Sequence, residues 1–492
     1  MPDQNSDAQA VNSAPNQLTQ RGRRLLLGLI LAGYVIVTLL YGMVNPLFEA
    51  PDEHWHYFTA QYIAENGRLP IVAPGAEYDE WLSQEAAQPP LYYLLGALLI
   101  APIDTSEARE EVWPNKFASV GDAAALININ RFVHAEMDAW PWQSYALAAH
   151  ILRLFSTLLG LGTLVCIYLS GRLLWPRDPY RALLATGLVA FLPQYNFLHA
   201  AVSNDPLVIF LVSAALWQLI RLWQSEVTRS RLLLLGVTIG LAALAKNAGV
   251  SLLVYALGVL LLLAIRNQAV NEAGAESGDR GTMAGWRLAG AAAVWVILPV
   301  ILIAGWLWVR NWSLYGDPLA TNQFIQIAGG DRNYTLLQVL HETRGLWLSS
   351  FAVFGWFNLR APEWVYWFWS GLVILAVAGA SWRAIKNYRL RRNDPPAEQK
   401  SSGFWSSVGR LLQADWVLPL LLALWVVAVY ASLFLFMLQT EAAQGRLLFS
   451  ALLPLALGLA SGLTATTWLR RVSPVFALLA LFVTLYLSLI HI

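Results

Sequence analysis

Residues 25–57 read LLLGLILAGYVIVTLLYGMVNPLFEAPDEHWHY. The first twenty carry no charge, and Arg21, Arg23 and Arg24 stand just before them. At about 1.5 Å per residue, an apolar helix of that length crosses the hydrocarbon core of a bilayer. A secretory leader shares the basic start, but its apolar part is shorter and ends at a small-residue cleavage site. No such site follows here, so the segment is expected to remain as a first membrane helix. What comes next is polar, acidic and aromatic, and would lie at the membrane surface.

Working outward, ten more apolar segments follow, at 146–175, 182–201, 206–223, 232–245, 248–265, 288–309, 364–380, 416–438, 447–468 and 474–490. Hydrophobic residues make up 57% of the 492-residue chain and charged ones only 13%, too few polar groups to cover a soluble surface. That balance excludes a soluble enzyme, a disordered chain, a coiled coil and a nucleic-acid binder. The single Cys166 excludes a disulfide framework and a cysteine metal site. The expected fold is an all-α polytopic membrane protein with about eleven transmembrane helices.

The net charge of +1 conceals an asymmetry. With the N-terminus in the cytoplasm, the inner face collects 21 of the 32 basic residues but only 10 of the 31 acidic ones. The positive-inside rule favours this orientation, and an odd helix count puts the C-terminus outside. Residues 1–24 read as a disordered cytoplasmic tail and 25–492 as one transmembrane domain. Two long segments fall outside, 45–145 and 310–363, and long loops are usually functional. In the first, Trp55, Phe58, Tyr62 and Ile63 share one helical face, with His56, Gln61 and Glu65 mainly opposite, as in a helix lying along a membrane. Residues 91–100 suit a second interfacial helix. Residues 346–357 read as a re-entrant or interfacial segment, and the basic stretches 267–286 and 382–413 as cytoplasmic linkers.

Chemistry concentrates where charges meet the outer helix ends. Asp52 and Glu53, with His54 and His56, suit a general base or metal ligands. Asp52 after Pro51 equally suits a helix N-cap. His54 and His56 point to different helix faces and do not suit one metal together, so a divalent metal stays open. Lys246 lies between two apolar stretches, where a charge is costly and usually functional, unless it snorkels to the interface. Arg446 and Arg310 begin and end apolar segments as phosphate contacts or interfacial anchors. Asn204 and Asp205 precede Pro206, as a sugar or metal site or a plain N-cap. Glu441 and His341 are weaker candidates, and the outer tryptophans, Trp140 to Trp369, mostly suit an aromatic belt.

These motifs, in this order, resemble the GT-C superfamily of membrane glycosyltransferases, which includes the protein O-mannosyltransferases and the lipid A aminoarabinose transferase. The resemblance rests on Pro51-Asp52-Glu53-His54, Gln88-Pro89-Pro90-Leu91-Tyr92-Tyr93, Gly240 to Lys246, Arg310 to Pro318, and Gln444-Gly445-Arg446-Leu447-Leu448. It runs from about residue 25 to 460 and is nearest to a bacterial branch with Pro-Asp-Glu and Asn-Asp motifs. The sequence departs from the family pattern at Gln88, Ala245 and Leu447. The resemblance implies transfer of a sugar from a polyprenyl-phosphate donor in a plasma or inner membrane to an extracytoplasmic acceptor. Asp52 would be the base with Glu53 supporting it. Lys246, Arg446 and Arg310 would hold the phosphate, and Gln88 and Tyr92 would sit by the substrate. Chemistry agrees, because a phosphate leaving group needs cations and no general acid. A transporter or flippase of a lipid-linked or anionic solute is the competing reading, and an inactive scaffold the third.

Overall fold

Inside a bilayer every backbone amide must find its partner within the chain, so apolar segments resolve into helices. The computed structural model describes residues 19–72, 79–120, 127–273, 285–330, 332–393 and 404–490. Among them, nine helices are long and apolar enough to cross a membrane. They are Gln20–Val44, Ser144–Leu174, Asp205–Gln224, Ala248–Ala269, Arg287–Tyr315, Glu363–Leu390, Val417–Met437, Gly445–Leu463 and Thr467–Ser488. The protein is an all-α polytopic membrane protein. The only strands among the described residues form two antiparallel pairs, Trp113–Pro114 with Phe132–Val133 and Val353–Phe354 with Leu359–Arg360.

Two of the eleven expected spans take another form. The segment 182–201 divides into Pro179–Ala190 and Pro193–His199. Pro193 donates no amide hydrogen and cannot continue a helix ladder, so the chain turns at Phe191 and Leu192. The segment at 232–245 becomes Arg229–Ala245, a 17-residue helix. It reverses into Ala248–Ala273 with Lys246 and Asn247 between them.

The first helix begins at Gln20, with Thr19 capping Gly22 N at 3.1 Å. Arg21, Arg23 and Arg24 therefore belong to a helix and not to the tail; residues 1–18 of that tail lie outside the described residues. The helix is pinned by polar contacts that hydrocarbon would strengthen. Tyr34 donates to Thr157 O at 3.1 Å, Thr38 to Asn196 Oδ1 at 2.8 Å, and Tyr41 to Thr484 O at 3.1 Å. The basic stretches expected as linkers are partly helical. Residues 267–273 and 382–393 extend their preceding helices, and Phe404–Leu412 is a helix whose Gly409 sits against Ala269. Residues 274–284 and 394–403 lie outside the described residues.

The long first loop packs onto the bundle. Its helix Glu53–Asn66 does not float on a membrane surface. His56, Gln61, Phe58 and Ile63 are all buried, and of the polar face only Glu65 is exposed. Gln61 Nε2 donates to Thr105 O at 2.6 Å, so a face that looked water-seeking is satisfied by protein. The helix Leu91–Ile100 buries Tyr92, Tyr93, Gly96, Ala97 and Ile100 and exposes Leu98 and Leu99, as an interfacial helix does. Residues 346–357 form the end of the Thr343–Ser349 helix and the first strand and turn of a short hairpin, largely buried under the loop.

Candidate active site

The stretch after the first helix turns sharply, with Phe48 at φ 66° and Asp52 at φ 65°. Asp tolerates this left-handed conformation better than most residues, at a cost of about 1 kcal/mol. The conformation removes the capping role: the Asp52 side chain makes no cap bond to the helix it precedes. Its Oδ2 instead accepts from Arg446 Nη2. Arg446 also donates from Nε to Gln444 Oε1 at 2.7 Å and from Nη1 to Pro51 O at 3.3 Å. The arginine opens a 3-10 turn at Gly445, where a Cβ would come within 2.3 Å of Ser350 N. Only glycine lets this chain pass so close, and that approach aims Arg446 at the first loop.

Lys246 arrives by a similar device. Gly249 lies where a Cβ would be 2.2 Å from the backbone of Ala242 and Ala243, so the two helices fold back tightly on each other. At the bend Lys246 Nζ donates to Asp205 Oδ1 at 2.5 Å, and Arg446 Nη1 stands 3.9 Å from Asp205 Oδ2. Asp52, Arg446, Asp205 and Lys246 thus form one buried or half-buried group of alternating charge, drawn from four separate segments. The acids have a second neighbour, Glu85, which sequence reasoning missed. Glu85 lies in the 3-10 turn Ser83–Ala87, buried, accepting from Tyr93 OH at 2.5 Å with His56 Nδ1 at 3.3 Å. Burial first, and then the charge of Asp52, push its carboxyl up to about 7.

The other candidates divide. Glu53 is taken up by a buried ion pair: it is 0% exposed and accepts from Arg153 Nε at 2.7 Å, Arg153 Nη2 at 2.8 Å and Val202 N at 3.0 Å. Arg153 further donates to Gly42 O, Asn45 O and Pro46 O, so the pair ties four segments together. His56 is buried beside Tyr93 OH at 2.9 Å, and burial holds it well below the usual histidine range. His54 packs between Trp55, Phe132 and Trp356, and burial takes it down to about 3. Tyr92 is structural, bonded to Ser156 Oγ and Ser203 N. Asn204 Nδ2 donates to Gln88 Oε1 at 3.0 Å and Tyr93 OH at 3.3 Å, but its side chain does not cap the following helix. Arg310 stands apart from the four charges. It donates to Pro70 O at 2.8 Å and lines a cleft with Glu85, Gln88 and Tyr315. Glu441 and His341 are exposed. Among the described residues no three His, Cys, Asp or Glu side chains are grouped to hold a metal.

A second polar network stiffens the same loop. Glu49 accepts from Arg131 N at 2.8 Å and Phe132 N at 2.9 Å, and His134 bridges Glu49 at 3.0 Å and Asp138 at 2.9 Å. Burial alone would lower His134, but its two carboxylate partners outweigh that and raise it to about 9.

Fold and site define a helical, multi-pass membrane protein whose first loop closes over a cluster of paired charges. The chain belongs to the predicted membrane protein family DUF2142, whose profile matches residues 143–394, just over half of it. No curated protein matches the sequence. Among solved structures it is similar to ArnT from Cupriavidus metallidurans bound to undecaprenyl phosphate, at 12% identity and a TM-score of 0.48. That match covers 93% of this chain and 63% of ArnT. It is also similar to the oligosaccharyltransferase AglB from Archaeoglobus fulgidus, at 14% identity and TM-score 0.46, over 93% of this chain and 55% of that one. A third likeness is to the Pmt1-Pmt2 protein O-mannosyltransferase of S. cerevisiae, at 18% identity and TM-score 0.39, over 61% of this chain and 35% of that one. The chain therefore spans less than two thirds of each of these structures.

Proposed function

We propose that the protein is a glycosyltransferase that moves a sugar from a polyprenyl-phosphate donor to an extracytoplasmic acceptor. The observation that carries this reading is the convergence of Asp52, Arg446, Asp205 and Lys246. Asp52 presents one carboxylate oxygen to Arg446 and keeps the other for an acceptor hydroxyl. That oxygen takes the hydroxyl proton as the acceptor oxygen attacks the anomeric carbon from the face away from the phosphate. The bond from that carbon to the phosphate oxygen breaks, its electron pair stays with the phosphate, and the sugar inverts. The leaving group gains one negative charge in this step, and Lys246 and Arg446 are the cations that meet it. Glu53 supports the reaction only by fixing the loop that carries Asp52.

The orientation follows the charge asymmetry: N-terminus in the cytoplasm, C-terminus outside, and residues 20–492 as one membrane domain of a plasma or inner membrane. The test is to incubate the purified chain in nanodiscs with a panel of polyprenyl-phosphate sugars and to follow sugar release or transfer. Asp52→Asn is the informative variant, because asparagine also tolerates a positive φ. Turnover should vanish while folding is kept. Near-normal turnover in Asp52→Asn would exclude the carboxylate as base.

A further inference from the structure

The cations of the proposed donor site already have an anion. Lys246 Nζ lies 2.5 Å from Asp205 Oδ1, and Arg446 Nη1 lies 3.9 Å from Asp205 Oδ2. With Arg446 also bound to Asp52, two positive and two negative side chains face one another. A phosphate entering this group finds each cation already sharing a carboxylate, and it competes with that carboxylate for them.

The two carboxylates are not equally bound to the group. Asp52 is positioned by a turn with two residues at positive φ and by Arg446 alone. Asp205 stands in the first turn of the Asp205–Gln224 helix, where the helix dipole favours a negative charge whether or not Lys246 stays near. Lys246 ends one helix at a bend, and four flexible methylenes carry its ammonium. The Lys246–Asp205 contact is therefore the one most easily exchanged.

We propose that Asp205 is the internal counter-anion of the donor site, holding Lys246 and Arg446 until a lipid phosphate takes its place on them. This rests on the glycosyl-transfer reading in one respect, that the anion is a polyprenyl phosphate. The exchange sets selectivity. Anionic phospholipid headgroups surround the protein in great excess, and each must compete with a carboxylate at contact distance. A donor that makes further contacts through its sugar succeeds where a bulk headgroup does not.

The experiment compares wild type, Asp205→Asn and Lys246→Ala, each as the full chain in phosphatidylcholine nanodiscs. Undecaprenyl phosphate, inorganic phosphate and added phosphatidylglycerol are the three probes, read by ligand titration and by Tm. Asp205→Asn should bind undecaprenyl phosphate about tenfold more tightly, near 1.4 kcal/mol. It should also melt lower without the lipid, because a half-buried lysine loses its counter-charge, and gain a larger Tm shift on binding. Phosphatidylglycerol should compete in this variant and not in wild type. Lys246→Ala should lose the response. Equal or weaker binding of undecaprenyl phosphate by Asp205→Asn, with an unchanged Tm shift, overturns the proposal. If neither wild type nor Asp205→Asn binds undecaprenyl phosphate, the glycosyl-transfer reading fails and inorganic phosphate decides. Tighter phosphate binding by Asp205→Asn then sustains the counter-anion role, and equal binding overturns it.

Discussion

Glu53→Gln separates architecture from chemistry in the first loop. The Glu53 carboxylate accepts three hydrogen bonds, two from Arg153 and one from Val202 N, with no exposure to solvent. Glutamine keeps the shape but turns one acceptor into a donor aimed at another donor. It also leaves the Arg153 guanidinium without its counter-charge. Removing one partner of a buried ion pair costs roughly 3–5 kcal/mol. Three carbonyls, those of Gly42, Asn45 and Pro46, still accept from Arg153, which favours the lower end, about 3 kcal/mol. Unfolding entropy grows with chain length, so in a chain of this size that loss lowers Tm by roughly 3 °C. Adding Arg153→Met should recover much of it, since an apolar pair of similar volume is often neutral or stabilising. The assay is tryptophan-fluorescence melting in nanodiscs, with donor turnover measured per folded molecule. A Tm within about 1 °C of wild type together with lost turnover would refute the structural assignment of Glu53.

Three other outcomes test the surroundings of the site. Glu85 is raised on folding from 4.5 to about 7, so its stabilising contribution is complete below 4.5 and is lost as pH climbs through 7. Glu85→Gln, uncharged throughout, should flatten the fall of Tm between those values; an unchanged slope counts against it. His134 is raised from 6.5 to about 9, so its contribution is complete below 6.5 and lost as pH rises through 9. His134→Gln should weaken that alkaline decline, read from the same melting curves. Gly445→Ala places a methyl 2.3 Å from Ser350 N and Oγ and must displace Arg446. Turnover should drop by more than tenfold; retention of full turnover would separate Arg446 from the reaction.

The sequence announced the helices and much of the charged group, because both depend on local patterns. A charge that interrupts an apolar run is conspicuous, and Lys246 and Asp205 were both visible that way. Their pairing was not, since 41 residues separate them and nothing local encodes the distance. The partner of Glu53 was hidden for the same reason. A carboxylate in the first turn of a helix looks identical whether it faces water or an arginine 100 residues away. Glu85 left no signal at all, being one acid in a short 3-10 turn with no periodicity to mark its buried side. The helix Glu53–Asn66 was legible, but protein and not solvent covers His56 and Gln61 on its polar face. Pro193 did mark the break in the segment 182–201, and its meaning became plain only with the turn in view.

The bond between Asp52 and Arg446 joins residues 394 positions apart. During synthesis the first loop reaches its side of the membrane long before Arg446 exists. Until residue 446 has been inserted, Asp52 has no arginine to hold it and the group of paired charges is incomplete. Activity should therefore appear abruptly and late in biogenesis. A chain ended before residue 446 would present much of the bundle without its paired charges, and so without the chemistry proposed for them.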